Sequence, residues 1–243
     1  MKKDYELILL AAGKGTRMGG GKNKVLLPLL GKPMIRYSLT VFFKDPYCKH
    51  IILTVNESET KLLEEMIAAE FSYYSKPVTL VSGGSERQYS SYNGLQALEK
   101  LETDYVMIHD AARPMIKQTQ IDQLNERMQK TGAAILAVSP KDTIKRCRKG
   151  EGCKTIPRQE IWRAQTPQAF RIDLIVEAHE KARLTGFFGT DDAAVVEQLS
   201  SSNIVIVEGS ESNLKMTTAE DLFMAEALLF KRQESTKNRN CSK

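Results

Sequence analysis

Short apolar runs alternate with stretches of helical periodicity along nearly the whole chain. Tyr5-Glu6-Leu7-Ile8-Leu9-Leu10 is the first such run, and similar ones at 50–55, 78–81, 104–109, 133–138 and 203–208 read as strands. Between and around them the spacing predicts helices over 33–43, 57–70, 86–100, 118–130, 171–184, 191–200 and 217–231. Helix starts carry their own signals. Thr217-Thr218-Ala219-Glu220-Asp221 sets hydroxyl caps before acids that favour the helix dipole, and Asn56-Glu57-Ser58-Glu59 repeats the arrangement for the second helix. Alternating strands and helices imply right-handed crossovers and a mostly parallel α/β sheet covered on both faces. In such sheets ligands sit beyond the carboxyl ends of the strands.

Two segments depart from the alternation. Residues 139–148 are too polar for a core strand, Lys149-Gly150-Glu151-Gly152 is a turn signal, and Cys153-Lys154-Thr155-Ile156 reads as a returning strand. The expectation over 139–161 is a β-hairpin projecting from the sheet. A lone hairpin is marginal in water, so it is expected to pack on a second subunit, the alternative being a solvent-facing excursion. Residues 232–243 are polar and lack periodicity, which predicts a disordered tail after a single domain spanning 1–231.

Composition narrows the classes of function. The chain has 243 residues, 42% of them hydrophobic, and a net charge of +5. That length suits one large α/β domain, and the charge suits small anionic substrates. Charges of both signs are mixed along the chain, with a short basic run at 145–149 and no basic stripe, so nucleic acid is not expected as a partner. Asp4 and Glu6 interrupt what would be the apolar part of a signal peptide. No run approaches the ~18 apolar residues of a membrane span. The expectation is a cytoplasmic protein with no membrane partner. Cysteines at 48, 147, 153 and 241 form no Cys-x-x-Cys pair, and histidines occur only at 50, 109 and 179, which disfavours a zinc cluster. Cys147 and Cys153 could face each other across the hairpin turn, but a reducing compartment predicts two unpaired thiols.

Candidate chemistry begins where the first strand ends, in Ala11-Ala12-Gly13-Lys14-Gly15-Thr16-Arg17-Met18-Gly19-Gly20-Gly21-Lys22-Asn23-Lys24. Glycines let backbone N–H groups close on an anion, and Arg17 and Lys24 add fixed positive charge, a combination suited to a nucleoside triphosphate. The alternative is a mobile surface loop. The P-loop pattern fails because Gly21 stands where Lys is required, and the dinucleotide fingerprint fails because Met18 holds the third glycine's place. Two further strand ends add polar groups. In Val81-Ser82-Gly83-Gly84-Ser85-Glu86-Arg87, backbone N–H groups could meet a base edge or ribose, or Ser85 could serve only as a helix cap. In His109-Asp110-Ala111-Ala112-Arg113-Pro114, Asp110 suits a Mg²⁺ ion, with a helix cap or an ion pair to Arg113 as the alternative, and His109 reads as structural. Later signals are individually weak. Thr190-Asp191-Asp192 is first of all a helix N-terminus, and Lys215 is first of all a surface lysine.

Taken in order, Ala-Ala-Gly-x-Gly-x-Arg-Met, Gly-Gly-x-Glu-Arg, His-Asp-Ala-Ala-Arg-Pro, Lys-Asp-Thr-Ile-Lys, Gln-Thr-Pro-Gln-x-Phe, Thr-Asp-Asp and Asn-Leu-Lys-Met-Thr-Thr resemble the 2-C-methyl-D-erythritol 4-phosphate cytidylyltransferases of the non-mevalonate isoprenoid pathway over about 5–230. The resemblance implies a Rossmann-like nucleotidyltransferase fold of the nucleotide-diphospho-sugar transferase type, with a projecting β-arm through which a homodimer forms. It implies CTP on Ala11, Ala12, Gly13, Gly15, Gly84, Ser85 and Ser90, catalytic cations at Arg17 and Lys24, and a Mg²⁺-associated carboxylate at Asp110. Methylerythritol phosphate would meet Thr166, Thr190 and Lys215, with Arg113, Thr143 and Arg158 from the partner's side, and Arg158 and Lys215 would position its phosphate. Ser85 stands where many relatives carry an acid. The implied reaction is attack of the acceptor phosphate on the α-phosphorus of CTP, releasing pyrophosphate. A ribitol-5-phosphate cytidylyltransferase is the nearest alternative. A non-catalytic nucleotide sensor is a remoter one, against which Arg17, Lys24, Asp110 and Lys215 argue. The length also predicts no fused cyclodiphosphate synthase.

Overall fold

The computed structural model describes residues 2–13, 23–98, 103–148, 150 and 152–240, with the backbone alone at 233 and 235–240. In chain order the strands are β1 (Tyr5–Leu10), β2 (Pro28–Leu29), β3 (Lys32–Pro33), β4 (Cys48–Val55), β5 (Val78–Ser82), β6 (Tyr105–Asp110), β7 (Ala133–Val138), β8 (Ile144–Cys147), β9 (Cys153–Ile156), β10 (Arg163–Arg171) and β11 (Val205–Glu208). The α-helices are α1 (Ile35–Lys44), α2 (Thr60–Phe71), α3 (Arg87–Gln96), α4 (Gln118–Thr131), α5 (Ile172–Thr185), α6 (Asp192–Leu199) and α7 (Ala219–Asn240).

Seven strands form one sheet in the order β11-β7-β10-β6-β1-β4-β5. β1 is buried at every position because helices cover both faces. Leu7 and Leu9 face a core with Leu39 and Phe42 of α1, Leu63 of α2, and Leu124 and Met128 of α4. Ile8 and Leu10, pointing the other way, meet Leu95 of α3, Ile175 of α5, and Val195 and Val196 of α6. β1 pairs in parallel with β4 on one side and β6 on the other. The chain winds outward to β5, then returns to the opposite side of β1, so the strand order reverses there and opens a crevice at the strands' carboxyl ends. A third cluster packs Met115, Met216, Ala225 and Leu229 around Leu29 and Met34, holding α7 against the segment after β6.

The mostly parallel sheet with helices on both faces and the projecting hairpin β8–β9 agree with the expected fold class. Sequence patterning missed β10, which lies antiparallel between β6 and β7. Its buried positions include Gln165, Thr166 and Gln168, and a Pro normally excluded from a central strand interrupts it. The register shifts between Ala164 and Gln168, and the Thr166–Pro167 peptide is cis. The tail is corrected too: α7 continues to Asn240, past the expected end at 231, while 241–243 lie outside the described residues. The helix expected from 57 opens with a 3-10 turn over Glu57–Glu59. The expectation of unpaired thiols is overturned in the arm. Antiparallel register sets Cys147 opposite Cys153, with Cα atoms 4.3 Å apart, and the two form a disulfide. Among the described residues no helix is long and apolar enough to cross a membrane.

Candidate active site

Three loops leave the carboxyl ends of β1, β5 and β6 and converge on the crevice. The first begins at Ala11-Ala12-Gly13; Gly15 and Arg17 lie outside the described residues. Its return is pinned by buried Asn23. The Asn23 amide donates to the Ala11 carbonyl (2.6 Å) and to Glu59 Oε2 (2.7 Å), and its Oδ1 accepts from Val25 N–H (3.3 Å). That last bond caps a 3-10 turn over Lys24–Leu26, so Lys24 is half-buried on an anchored turn. Ala11 and Asn23 are therefore tied directly to each other.

The β5–α3 loop packs directly on it. Gly83 N–H donates to the Val55 carbonyl at 2.8 Å, and a Cβ on Gly83 would stand 2.1 Å from that of Ala12. Gly84 is similarly crowded: a Cβ there would lie 2.2 Å from the Tyr89 Cβ. Ser90 Oγ accepts from Gly84 N–H (3.0 Å) and donates to the Glu86 carbonyl (3.2 Å), shaping the loop from inside α3. Ser85 is exposed, and the helix cap position is Glu86. The cap alternative for Ser85 is thus not what the chain adopts.

Asp110, at the end of β6, is buried and charged. Its Oδ1 accepts from Arg87 Nε at 3.0 Å and its Oδ2 from Lys215 Nζ at 2.6 Å. Burial pushes its carboxyl up, but the Arg87 and Lys215 charges prevail and hold it well below the usual carboxylate range. Asp110 caps no helix, because α4 begins at Gln118 with Lys117 as its cap, and among the described residues no ion pair joins it to Arg113, which donates from Nη1 to the Asn213 carbonyl at 2.7 Å. Lys215, expected first as a surface lysine, is fixed from both sides. Met216 next to it is fully buried, and Met216 N–H donates to the Ala112 carbonyl at 2.8 Å. Burying one such side chain stabilises by about 1.5–3 kcal/mol, so the position of the neighbouring ammonium rests on core packing.

Thr166 from β10 completes this corner. Asp110 N–H donates to its Oγ1 at 3.0 Å, and Oγ1 lies 3.1 Å from His109 Nδ1. The other ring nitrogen, Nε2, faces the Arg113 carbonyl at 3.2 Å, an acceptor only, so it carries the proton. Burial pushes His109 down to about 4, so the ring is neutral near pH 7 and its Nδ1 accepts from Thr166. The Thr166 hydroxyl has therefore spent its proton, and a substrate hydroxyl can only donate to it. Asn213, fully buried, ties the corner together: its amide donates to the Thr166 carbonyl at 2.9 Å while its own carbonyl holds Arg113.

The α6 end closes the opposite wall. Asp191 caps α6 by accepting from Ala194 N–H (2.8 Å), as expected of a helix N-terminus, and Thr190 is exposed beside it. Gln168 of β10 donates to Asp191 Oδ2 (2.7 Å) and accepts from Ala193 N–H (3.0 Å). Asp192 is buried between Arg87 Nη1 (2.7 Å) and His179 Nε2 (3.2 Å). The structure thus gathers Asp110, Thr166, Lys215 and Arg113 at one corner of a single chain, with Thr190 on the adjoining loop; Arg113, expected from the partner's side with Thr143 and Arg158, stands instead in this corner because the Asn213 carbonyl holds it beside Thr166. Thr143 and Arg158 stand apart from that cluster among the described residues. Both are exposed at the root of the arm, where Arg158 Nη1 donates to the Lys141 carbonyl at 2.7 Å. Sequence reasoning missed Arg87, Asn213 and Gln168 as site residues. Arg87 offered one signal, because a cation in a helix's first turn opposes the dipole and needs another reason to be there.

As a divalent cation site, the corner offers one carboxylate. Among the described residues no three His, Cys, Asp or Glu cluster to hold a metal. Such a donor set fits a hard ion held mainly by phosphate and water oxygens rather than one caged by protein.

A family model described as 2-C-methyl-D-erythritol 4-phosphate cytidylyltransferase matches residues 6–231. The chain is similar to proteins of that name from Bacillus pumilus, 47% identical over 225 residues covering 93% of this chain and 96% of the relative, and from Geobacillus thermodenitrificans, 47% identical over 232 residues covering 94% and 98%. Among solved structures it resembles the 4-diphosphocytidyl-2C-methyl-D-erythritol synthase of Anaerococcus prevotii, with a TM-score of 0.82 at 28% identity over 93% of this chain and 98% of that one.

Proposed function

The chain belongs to the 2-C-methyl-D-erythritol 4-phosphate cytidylyltransferase family, and from that premise we propose how its own residues divide the work. The enzyme transfers the cytidylyl group of CTP to 2-C-methyl-D-erythritol 4-phosphate in isoprenoid biosynthesis. A phosphate oxygen of the acceptor attacks the α-phosphorus in line, a new P–O bond forms, the bond to the β-phosphate breaks, and pyrophosphate leaves. The attacking oxygen is already anionic, so no general base is required. The obstacle is charge: two unit charges 4 Å apart repel by about 4 kcal/mol at an effective dielectric near 20.

CTP lies on the backbone of Ala11, Ala12, Gly13 and Gly15, with Gly84, Ser85 and Ser90 around its base and ribose. Lys24 and Arg17 stabilise charge that develops on the α-phosphate and the leaving group. The Asn23 anchor supports this assignment for Lys24, because a pre-positioned cation has little to reorganise. Asp110 would hold Mg²⁺, which when bound neutralises triphosphate charge. Lys215 and Arg113 receive the acceptor, and Thr166 accepts a hydrogen bond from one of its hydroxyls. Thr190 lines the same pocket. The observation that carries this reading is the Asp110–Lys215 pair beside Thr166 at the strand-order reversal.

Two copies of the chain form a homodimer through β8–β9, so that Thr143 and Arg158 at the arm's root reach the partner's acceptor pocket. Their exposure, apart from the cluster around Asp110, supports this. The deciding experiment is pyrophosphate release from CTP and Mg²⁺ against a panel of polyol phosphates. Turnover with methylerythritol phosphate is expected; turnover with ribitol 5-phosphate in its place would overturn the acceptor. Lys24→Ala should lower turnover by about 10²-fold, as the loss of one fixed charge-stabilising donor does. Mixing inactive Lys24→Ala and Arg158→Ala chains should restore part of the activity through hybrid dimers, and no recovery would refute the shared site.

A further inference from the structure

Arg87 has no part in the scheme above, yet it is engaged twice over in the crevice. Its guanidinium joins two buried carboxylates from distant parts of the chain, Asp110 through Nε at 3.0 Å and Asp192 through Nη1 at 2.7 Å. Both partners are acids, so it is neither a helix cap nor a surface charge. Asp110 therefore has two cations, one on each oxygen, and these differ in kind. Arg87 is locked in a fork between two acids. Lys215 is a single ammonium with its side chain 39% exposed, on the crevice side where an acceptor phosphate would arrive.

That asymmetry has a consequence for binding. When Lys215 turns to a phosphate, Asp110 must either lose its counter-charge or keep another one. A buried carboxylate stripped of its partner is strongly disfavoured. With Arg87 present, Asp110 stays paired, and Lys215 can be given up to the incoming dianion. Without Arg87, Lys215 is the one cation left in contact with Asp110 among the described residues, with Arg113 acting on it from farther off, and the phosphate must compete for Lys215. We propose that Arg87 is a positioning residue that serves as the standing counter-charge of Asp110 and so releases Lys215 to capture the acceptor's phosphate. This rests on the assignment of Lys215 to the acceptor made above. Arg87 itself touches neither substrate.

The geometry also says why arginine is used. A lysine at position 87 is a point charge and can satisfy one of the two acids, whereas the guanidinium fork spans both. Asp192 is additionally held by His179 Nε2 at 3.2 Å, so the anchor of Arg87 is itself fixed.

The test is steady-state kinetics of the full-length enzyme with CTP, Mg²⁺ and methylerythritol phosphate. Variants are Arg87→Gln, Arg87→Lys, Asp192→Asn and the charge-balanced pair Arg87→Gln with Asp192→Asn, the pair guarding against simple failure to fold. The pair is compared with Asp192→Asn alone. The acceptor KM should rise about tenfold or more, the loss of roughly one charge-assisted contact, while the CTP KM moves by less than about threefold. Arg87→Lys should recover part of the acceptor KM. An acceptor KM equal in the pair and in Asp192→Asn would overturn the proposal, and so would equal rises for both substrates, which mark general disorder of the crevice. If the unaltered enzyme uses another polyol phosphate instead, the acceptor assignment fails, and the same KM comparison on that phosphate still decides the role of Arg87.

Discussion

Replacing Gly83 by Ala tests how the loops after β1 and β5 are held together. The added Cβ would stand 2.1 Å from the Ala12 Cβ, 3.2 Å from Ser90 Oγ and 3.5 Å from the Val55 carbonyl. Ordinary contact begins at 3.4 Å, so the Ala12 side must retreat by about 1.3 Å. Gly83 has little room to move instead, since its N–H is bonded to Val55 at 2.8 Å and Ser90 behind it is buried in α3. Ala12 opens the first loop, so the displacement passes into the segment expected to cradle the triphosphate. Overpacking of this kind costs about 1–3 kcal/mol. At about 2–4 °C per kcal/mol for a domain of this size, Tm should fall by about 2–12 °C. A misplacement near 1 Å costs about 10²-fold in rate, so kcat/KM for CTP should drop by about 10–10²-fold, with a much smaller change in acceptor KM at saturating CTP. Thermal unfolding and pyrophosphate release at varied CTP read the two effects separately. A Gly83→Ala enzyme with unaltered Tm and unaltered kcat/KM for CTP would refute the packing of one loop on the other.

Gly13→Ala makes the opposite prediction: among the described residues, its chain neighbours aside, no atom lies within 4 Å of the added Cβ, so Tm should hold while the CTP KM rises, and an unchanged KM would move the triphosphate off Gly13. His109 predicts a pH dependence of stability. Burial pushes it down to about 4, below its unfolded value near 6.5, so the unfolded chain binds the proton first as pH falls and about 3 kcal/mol is lost between roughly pH 6.5 and 4. Denaturant midpoints at pH 7 and 4.5 measure this, and His109→Gln should flatten the slope; an equal slope in both would refute it. Opening the Cys147–Cys153 disulfide should release a constraint of about 2 kcal/mol confined to the arm. Amides of 144–147 and 153–156 should then exchange faster while the sheet's protection stays the same, and unchanged arm exchange would count against the bridge.

The strands legible in the sequence share one property. β1, β4, β6 and β7 are covered by helices on both faces, so their sequences are apolar almost throughout and need no knowledge of neighbours to be read. The arm was legible for a different reason, a turn sequence between two short polar runs whose ends pair as Ile144 with Ile156. Lys215 and Arg87 could not be read in this way. Lys215 lies 105 positions from Asp110 in the chain, as Arg87 does from Asp192, and each looks locally like a surface charge.

β10 shows why such misses gather at the site. A central strand is ordinarily recognised by its apolar side chains, yet Gln165, Thr166 and Gln168 are buried here with their polar groups directed to three different loops. Gln165 donates to the Ser210 carbonyl at 2.9 Å, Thr166 receives Asp110 N–H at 3.0 Å, and Gln168 spans Asp191 and Ala193 at the start of α6. Each buried polar group is disfavoured unless it is bonded, so the strand is stable only when those loops are in place, and the loops are ordered only when the strand is. The antiparallel insertion of β10 between β6 and β7 is what brings Thr166 beside Asp110. An apolar β10 would be easier to read and would fill the same slot in the sheet, but it would leave Asp110, Asn213 and the α6 end without the contacts that set them around one pocket. Local propensity was overridden at the strand whose polar side chains brace the corner around Asp110, which is where conflict between local pattern and global structure is expected.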